Sequence, residues 1–136
     1  MAVSVEIGMR VPFHDLDPLG IVWHGNYLKY FDVARFALFE AAGVDLQEYS
    51  RQHNIIFPVT RSATKHIIPL RHKDDVICKA TATEAVYKIA IDFEIRRTGS
   101  GELCTRGSSD QVAVVLPGME MQFEIPRDVT VALGFG

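Results

Sequence analysis

The apolar and polar positions of this chain follow three periods in turn. From 3 to 13, Val3, Val5 and Ile7 alternate with Ser4, Glu6 and Gly8, the twofold period of a strand. From 24 to 42, Tyr27, Tyr30, Phe31, Ala34, Leu38, Ala41 and Ala42 recur at three- and four-residue spacing, which predicts a long helix. Phe36, Ala37 and Phe39 widen its apolar surface, leaving Lys29, Asp32, Arg35 and Glu40 as a narrow polar strip. Such a helix is expected to be buried on most sides. Gly43 supplies its stop, and residues 45–51 add a short helical turn.

After that the period returns to two. Residues 55–68, 75–86, 88–97 and 103–116 read as strands, most clearly where Ile89, Ile91, Phe93 and Ile95 alternate with Lys88, Ala90, Asp92 and Glu94. Turns are expected at 72–74, at Val86-Tyr87 and at Thr98-Gly99-Ser100-Gly101. Pro117-Gly118 breaks the last long strand, residues 119–125 read as one more short strand, and no regular element is expected after Pro126.

The order strand, loop, long helix, strand meander predicts an α+β fold in one domain over residues 1–136, an antiparallel sheet laid against a single helix. One helix leaves sheet edges open, so self-association is expected.

Composition narrows the function classes. The 136 residues are 48% hydrophobic and 23% charged, with a formal net charge of -3 and the two signs mixed along the chain. A nucleic-acid binder would show a basic face, and none is visible. The first residues, MAVSVEIGMR, have no apolar signal region, and no apolar run approaches the ~18–20 residues of a membrane span. A cytoplasmic setting is expected. Cys78 and Cys104 fall in strand-like segments and are expected to be reduced, buried and chemically quiet.

The chemistry concentrates in residues 14–27, HDLDPLGIVWHGNY. Pro18 forces Asp17 out of the helical region and Gly20 offers a bend, so a carboxylate sits in a constrained loop just before a helix. The first amides of that helix have no internal partner and carry partial positive charge. A thioester carbonyl set against them would be polarised and its oxyanion stabilised. Gly25 would let a ligand approach the backbone closely. Asp17 suits the role of nucleophile or of base toward water. A thiol of pKa near ~8.5 leaves without strong acid help, so one carboxylate and one oxyanion site suffice. Turn-making is the structural alternative for Asp17, and Asp15 is expected to be structural. His24 could transfer a proton or simply begin the helix. The His14, Asp15, Asp17, His24 spacing fits no standard zinc pattern, so no metal is expected. His66 and His72 read as strand-end residues.

The run D-x-D-P-x-G-I-V-W-x-x-N-Y resembles the motif of 4-hydroxybenzoyl-CoA thioesterases and of the related YbgC-type acyl-CoA thioesterases. The resemblance implies their hotdog fold, a long helix wrapped by an antiparallel sheet of about five strands, across nearly the whole chain. It implies hydrolysis of a short-chain or aromatic acyl-CoA, with Asp17 as the catalytic aspartate and the His24 or Gly25 amide as oxyanion donor. His24 matches the histidine of the YbgC-type branch, where the hydroxybenzoyl branch has a tyrosine. Phe13 stands where YbgC-type enzymes often carry a tyrosine. Family practice further implies basic residues for the coenzyme A phosphates at a subunit interface. Lys88 is the nearest match, and Arg96, Arg97 and Arg127 are weaker ones. Arg61-Ser62 resembles a segment lining the site, and Tyr27, Tyr30 and Phe31 would wall an acyl pocket. No cofactor is implied beyond the coenzyme A of the substrate. The assembly implied is a homo-oligomer, a dimer or more fully a tetramer. The competing readings are a non-catalytic acyl-CoA or acyl-carrier-protein binding module and a hotdog dehydratase, whose helix acid Glu40 would stand too far from the helix start.

Overall fold

The computed structural model describes residues 2–136. Strand β1 spans Ser4–Arg10 and is followed by a single 3-10 turn, Phe13–Asp15. Helix α1 is Asn26–Ala41 and α2 is Leu46–His53. The strands that follow are β2 (Ile55–Ile56), β3 (Val59–His66), β4 (Asp75–Glu84), β5 (Ile89–Arg97), β6 (Leu103–Gln111), β7 (Val114–Val115) and β8 (Glu120–Met121), and α3 (Arg127–Ala132) closes the chain.

Five strands form an antiparallel sheet in the order β1-β4-β5-β6-β3. The expected four-strand meander therefore holds only for β4-β5-β6. Strand β4 has β1 on one side, with Ile7 opposite Cys78, and β5 on the other, with Cys78 opposite Ile95. No edge of β4 remains for β3, which instead pairs with β6, Ser62 opposite Ser109.

Two predicted strands are each split. Pro58 has no amide to donate and ends β2 just before β3 begins. Opposite it, the chain leaves β6 at Gln111, whose buried side chain donates Nε2–H to Phe57 O at 2.9 Å. The continuation, β7, pairs with β2 and β8 in a separate three-stranded sheet.

Helix α1 lies on one face of the large sheet. Its buried residues Tyr27, Tyr30, Phe31, Ala34, Arg35, Leu38 and Phe39 recur every three or four positions, so they form one stripe. They meet Val76, Cys78, Ala80 and Ala82 of β4 and Ile89, Ile91, Phe93 and Ile95 of β5 in a single core. Each large apolar side chain removed from water contributes about 1.5–3 kcal/mol. Phe31 stacks on Phe93 with centroids 4.6 Å apart. Gly43, at φ +77°, ends the helix by a backbone conformation that side chains rarely adopt. This is the hotdog arrangement expected.

Two further expectations fail. The helix is not buried on most sides, because the sheet covers one flank only. Phe36, read as part of the apolar face, is 59% exposed, while Arg35, read as part of the polar strip, is 6% exposed. The Arg35 guanidinium reaches Ser109 Oγ at 2.7 Å, pairs with Asp32 and lies over the Phe93 ring, so its charge and its plane are both occupied. The tail is also regular: α3 buries Val129, and Thr130 donates its hydroxyl to Ala85 O at 2.6 Å. Cys78 and Cys104 are free and buried, and burial pushes the Cys78 thiol up to about 12.

Candidate active site

The loop between β1 and α1 is built by short-range bonds. Leu16 and Val22 form an isolated antiparallel bridge, and Asp17 N donates to Ile21 O at 2.9 Å. Between them the chain turns through Gly20, at φ +80°. Gly20 N closes the turn on Asp17 O at 3.0 Å. Asp17 Oδ1 accepts from Leu19 N at 2.8 Å, the bond of an Asx turn. One carboxylate oxygen is thereby held while the other, Oδ2, takes no hydrogen bond among the described residues.

Asp15 ties this loop to the helix. Its carbonyl accepts from Trp23 N at 3.0 Å and from Asn26 Nδ2 at 2.9 Å. Its buried carboxylate accepts from Lys29 Nζ and from the Tyr30 hydroxyl, each at 2.6 Å. Burial alone would raise the Asp15 pKa, but the Lys29 and Tyr30 bonds outweigh it and hold it below the usual carboxylate range. The same burial and the same carboxylate push the Tyr30 hydroxyl far up, so it stays a donor. Tyr30 is thus an anchor for the loop rather than a pocket wall.

The chain enters α1 through Gly25, with no side-chain cap. Asn26 N donates to Trp23 O and Tyr27 N to His24 O. The amides of His24 and Gly25 donate to no protein acceptor among the described residues. These are the two amides expected to hold an oxyanion. Gly25 does not leave the room for a ligand that its sequence suggests, since a Cβ there would stand 2.3 Å from the Trp23 ring and the indole fills that space.

Asp17, Leu19, Ile21, Val22, His24 and Tyr27 line a cleft of about 250 Å³ that His66, Ile67 and Pro69 close from the end of β3. Tyr27 is buried, accepts from Leu70 N at 3.3 Å and presents its ring edge to His66 at 4.6 Å between centroids. A larger hollow of about 620 Å³ lies on the outer face of the sheet, lined by Lys65, Lys79, Asp92, Glu94 and Arg106. The smaller cleft brings together an open carboxylate oxygen, on Asp17, and the entry to α1 at His24, whereas the larger hollow is lined by residues of the outer sheet face. Among the described residues no three His, Cys, Asp or Glu side chains converge as a metal would require.

The other candidate residues lie elsewhere. Phe31 sits under the sheet, over Gly107, where a Cβ would come within 2.4 Å of its ring. It packs the core and does not line the cleft. Arg61 and Lys88 meet on Asp110 Oδ2, at 4.0 and 3.2 Å. Arg61 is separated from His66 by roughly 16 Å along β3, at about 3.3 Å per residue. Arg96 pairs with Glu94, Arg97 with Asp74 and Glu102, and Arg127 reaches Gly136 O.

His66 is the residue that sequence reading passed over. It precedes the loop to β4 and reads locally as a strand end, which it is. Only the pairing of β3 with β6, which sets His66 opposite Thr105, carries its ring onto Tyr27. His66 is exposed at the cleft mouth, yet partial desolvation, and secondarily the proximity of His24, lowers its pKa below the ordinary imidazole value.

With this geometry in hand, the comparisons with known proteins are specific. Residues 11–133 match the model of the thioesterase-like superfamily. The chain is 29% identical over 111 residues to a putative esterase of Synechocystis, a match covering 80% of this chain and 66% of that protein, just under two thirds of its length. It is 26% identical over 124 residues to the acyl-CoA thioesterase YbgC of Haemophilus influenzae, covering 91% of this chain and 90% of that one. Its fold matches the 4-hydroxybenzoyl-CoA thioesterase of Pseudomonas with a TM-score of 0.85 at 22% identity, over 96% of this chain and 99% of the other. The match of nine tenths of its length to one family model, on a fold that the Pseudomonas enzyme shares, means that the chain belongs to the thioesterase-like superfamily.

Proposed function

We propose that this protein hydrolyses a short-chain or aromatic acyl-CoA to the free acid and coenzyme A. The observation that carries the reading is the open oxygen of Asp17 in a cleft that His24 also lines, where the amides of His24 and of the adjoining Gly25 donate to no protein acceptor among the described residues. The thioester carbonyl would point at the amides, which stabilise charge as it develops on oxygen. Asp17 would attack the carbonyl or draw a proton from water. The cleft volume of about 250 Å³ suits a small acyl group. The names of two matched proteins, an acyl-CoA thioesterase and a 4-hydroxybenzoyl-CoA thioesterase, point the same way. His24 would contribute its amide and, in the fuller reading, a proton. Arg61 and Lys88 would meet the phosphates of coenzyme A, exchanging Asp110 for a stronger anion. The enzyme needs no metal or further cofactor in this scheme.

Strand β3 leaves one edge of the sheet uncovered, with most of Val59–His66 exposed. A second copy pairing there would satisfy that edge, and a further pairing of dimers would give a tetramer. No described helix is long and apolar enough to cross a membrane. Free Cys78 and Cys104 suit a reducing compartment such as the cytoplasm.

A second reading, an acyl-CoA or acyl-carrier-protein binding module, draws on one observation. Asp17 already has a structural task in its Asx turn. Thiol release across a panel from short aliphatic through long-chain to benzoyl and hydroxybenzoyl thioesters separates the two. Turnover that disappears in Asp17→Asn supports the enzyme; binding without thiol release on any thioester supports the module.

A further inference from the structure

Thioester hydrolysis moves a proton off water, and a carboxylate that attacks the carbonyl cannot also take that proton. The cleft holds a second group fit for it. Its walls come from two directions, the loop and start of α1 on one side and the end of β3 on the other. His66 is the titratable side chain contributed by the β3 wall, facing Asp17 and His24 across the space where a thioester must lie. Tyr27 sets the imidazole in place through an edge contact at 4.6 Å rather than a hydrogen bond, and no ring nitrogen of His66 is engaged by the protein among the described residues.

We propose that His66 is the general base that activates the hydrolytic water, leaving Asp17 to act as the nucleophile. This rests on the thioesterase reading above. An Asp17 oxygen attacks the thioester carbonyl, the C–S bond breaks, and coenzyme A departs as thiolate. Water then attacks the resulting mixed anhydride while a His66 ring nitrogen takes its proton. The bond to Asp17 breaks, releasing the acid and restoring the carboxylate, and the proton on His66 passes to the thiolate or to solvent. Each turnover consumes one thioester and one water and returns every group to its starting state.

The electrostatics fit a base. The titratable groups facing His66 are Asp17 and His24 from the loop and Tyr27 from α1, while Thr105 opposite it on β6 is uncharged. Lys65, its neighbour on β3, lines the hollow on the outer face. Partial desolvation, and secondarily His24, shifts the imidazole toward its neutral form, the form that accepts a proton.

The test is the pH dependence of steady-state thiol release by the full chain and by His66→Gln, with melting temperature as the control for folding and imidazole added to His66→Ala as a second variant. General-base catalysis is worth ~100-fold or more. We expect His66→Gln to lose at least that factor in kcat, with KM falling in step and kcat/KM nearly kept, because attack by Asp17 does not use His66. The wild-type fall in rate on the acid side, centred below the ordinary imidazole value of about 6.5, should vanish in the variant. Imidazole should restore part of the rate of His66→Ala. A His66→Gln kcat within threefold of wild type overturns the inference, as does a large loss that keeps the acid fall or resists imidazole. Active wild type with an unaffected His66→Gln removes only this inference, whereas wild type inactive on every thioester removes the thioesterase reading and this one together.

Discussion

The Tyr30 hydroxyl donates to Asp15 Oδ2 at 2.6 Å, fastening the loop that carries Asp17 to the second turn of α1. Lys29 holds the other oxygen at 2.6 Å, and the Asp15 carbonyl takes Trp23 N and Asn26 Nδ2. One residue thus fixes where Asp17 and the His24 and Gly25 amides stand relative to each other. A buried carboxylate deprived of a donor costs about 1–3 kcal/mol. Tyr30→Phe should therefore lower the melting temperature, and calorimetry reads the loss.

The same carboxylate links stability to acid. Its folded pKa lies below the unfolded one, so its contribution is complete above about pH 4 and is lost as pH falls through the folded value. Thermal melts from about pH 7 down to about pH 3 should show a shallower acid decline in Asp15→Asn than in wild type. Parallel declines would mean that other carboxylates carry the acid sensitivity.

Asp17→Asn and Asp17→Ala should differ in stability but not in activity. An asparagine carbonyl can still accept from Leu19 N and keep the Asx turn, whereas alanine cannot. Both lose the reactive oxygen, so thiol release should fall by about a hundredfold or more in each. Melting should be near wild type for Asp17→Asn and lower by about 0.5–1.5 kcal/mol for Asp17→Ala.

Gly107→Ala should destabilise the fold by about 1–3 kcal/mol through overpacking. Its new methyl would stand 2.4 Å from the Phe31 ring, which is itself pinned on Phe93. Combining it with Phe31→Leu should recover part of that loss, since residues in contact are not additive. Denaturant melts of the two single variants and the double variant measure the coupling.

Arg61→Ala and Lys88→Ala test the proposed phosphate contacts. Each should raise KM for acyl-CoA while kcat holds, because such contacts bind ground state and transition state alike. The rise should shrink for a truncated acyl-pantetheine, which lacks those phosphates. Unchanged KM on acyl-CoA would leave Arg61 and Lys88 as partners of Asp110 alone.

What was legible in the sequence was what short-range rules decide. The twofold periods located β1, β4, β5 and β6, and the three-to-four spacing located α1, because each side chain's face follows from the local period. Asp17-Pro18 and Gly20 declared a constrained loop before a helix for equally local reasons. Only the tertiary structure decided the rest. Arg35 is inside and Phe36 outside because one sheet covers one flank of α1, and position on the helix outranks polarity once Ser109, Asp32 and Phe93 receive the charge. Strand β3 lies beside β6 because β4 had no free edge, a competition among strands far apart in sequence. That pairing brings His66 to Tyr27 and so to the cleft of Asp17. The loop's chemistry is written in consecutive residues; its opposite wall depends on a long-range register that no local pattern encodes.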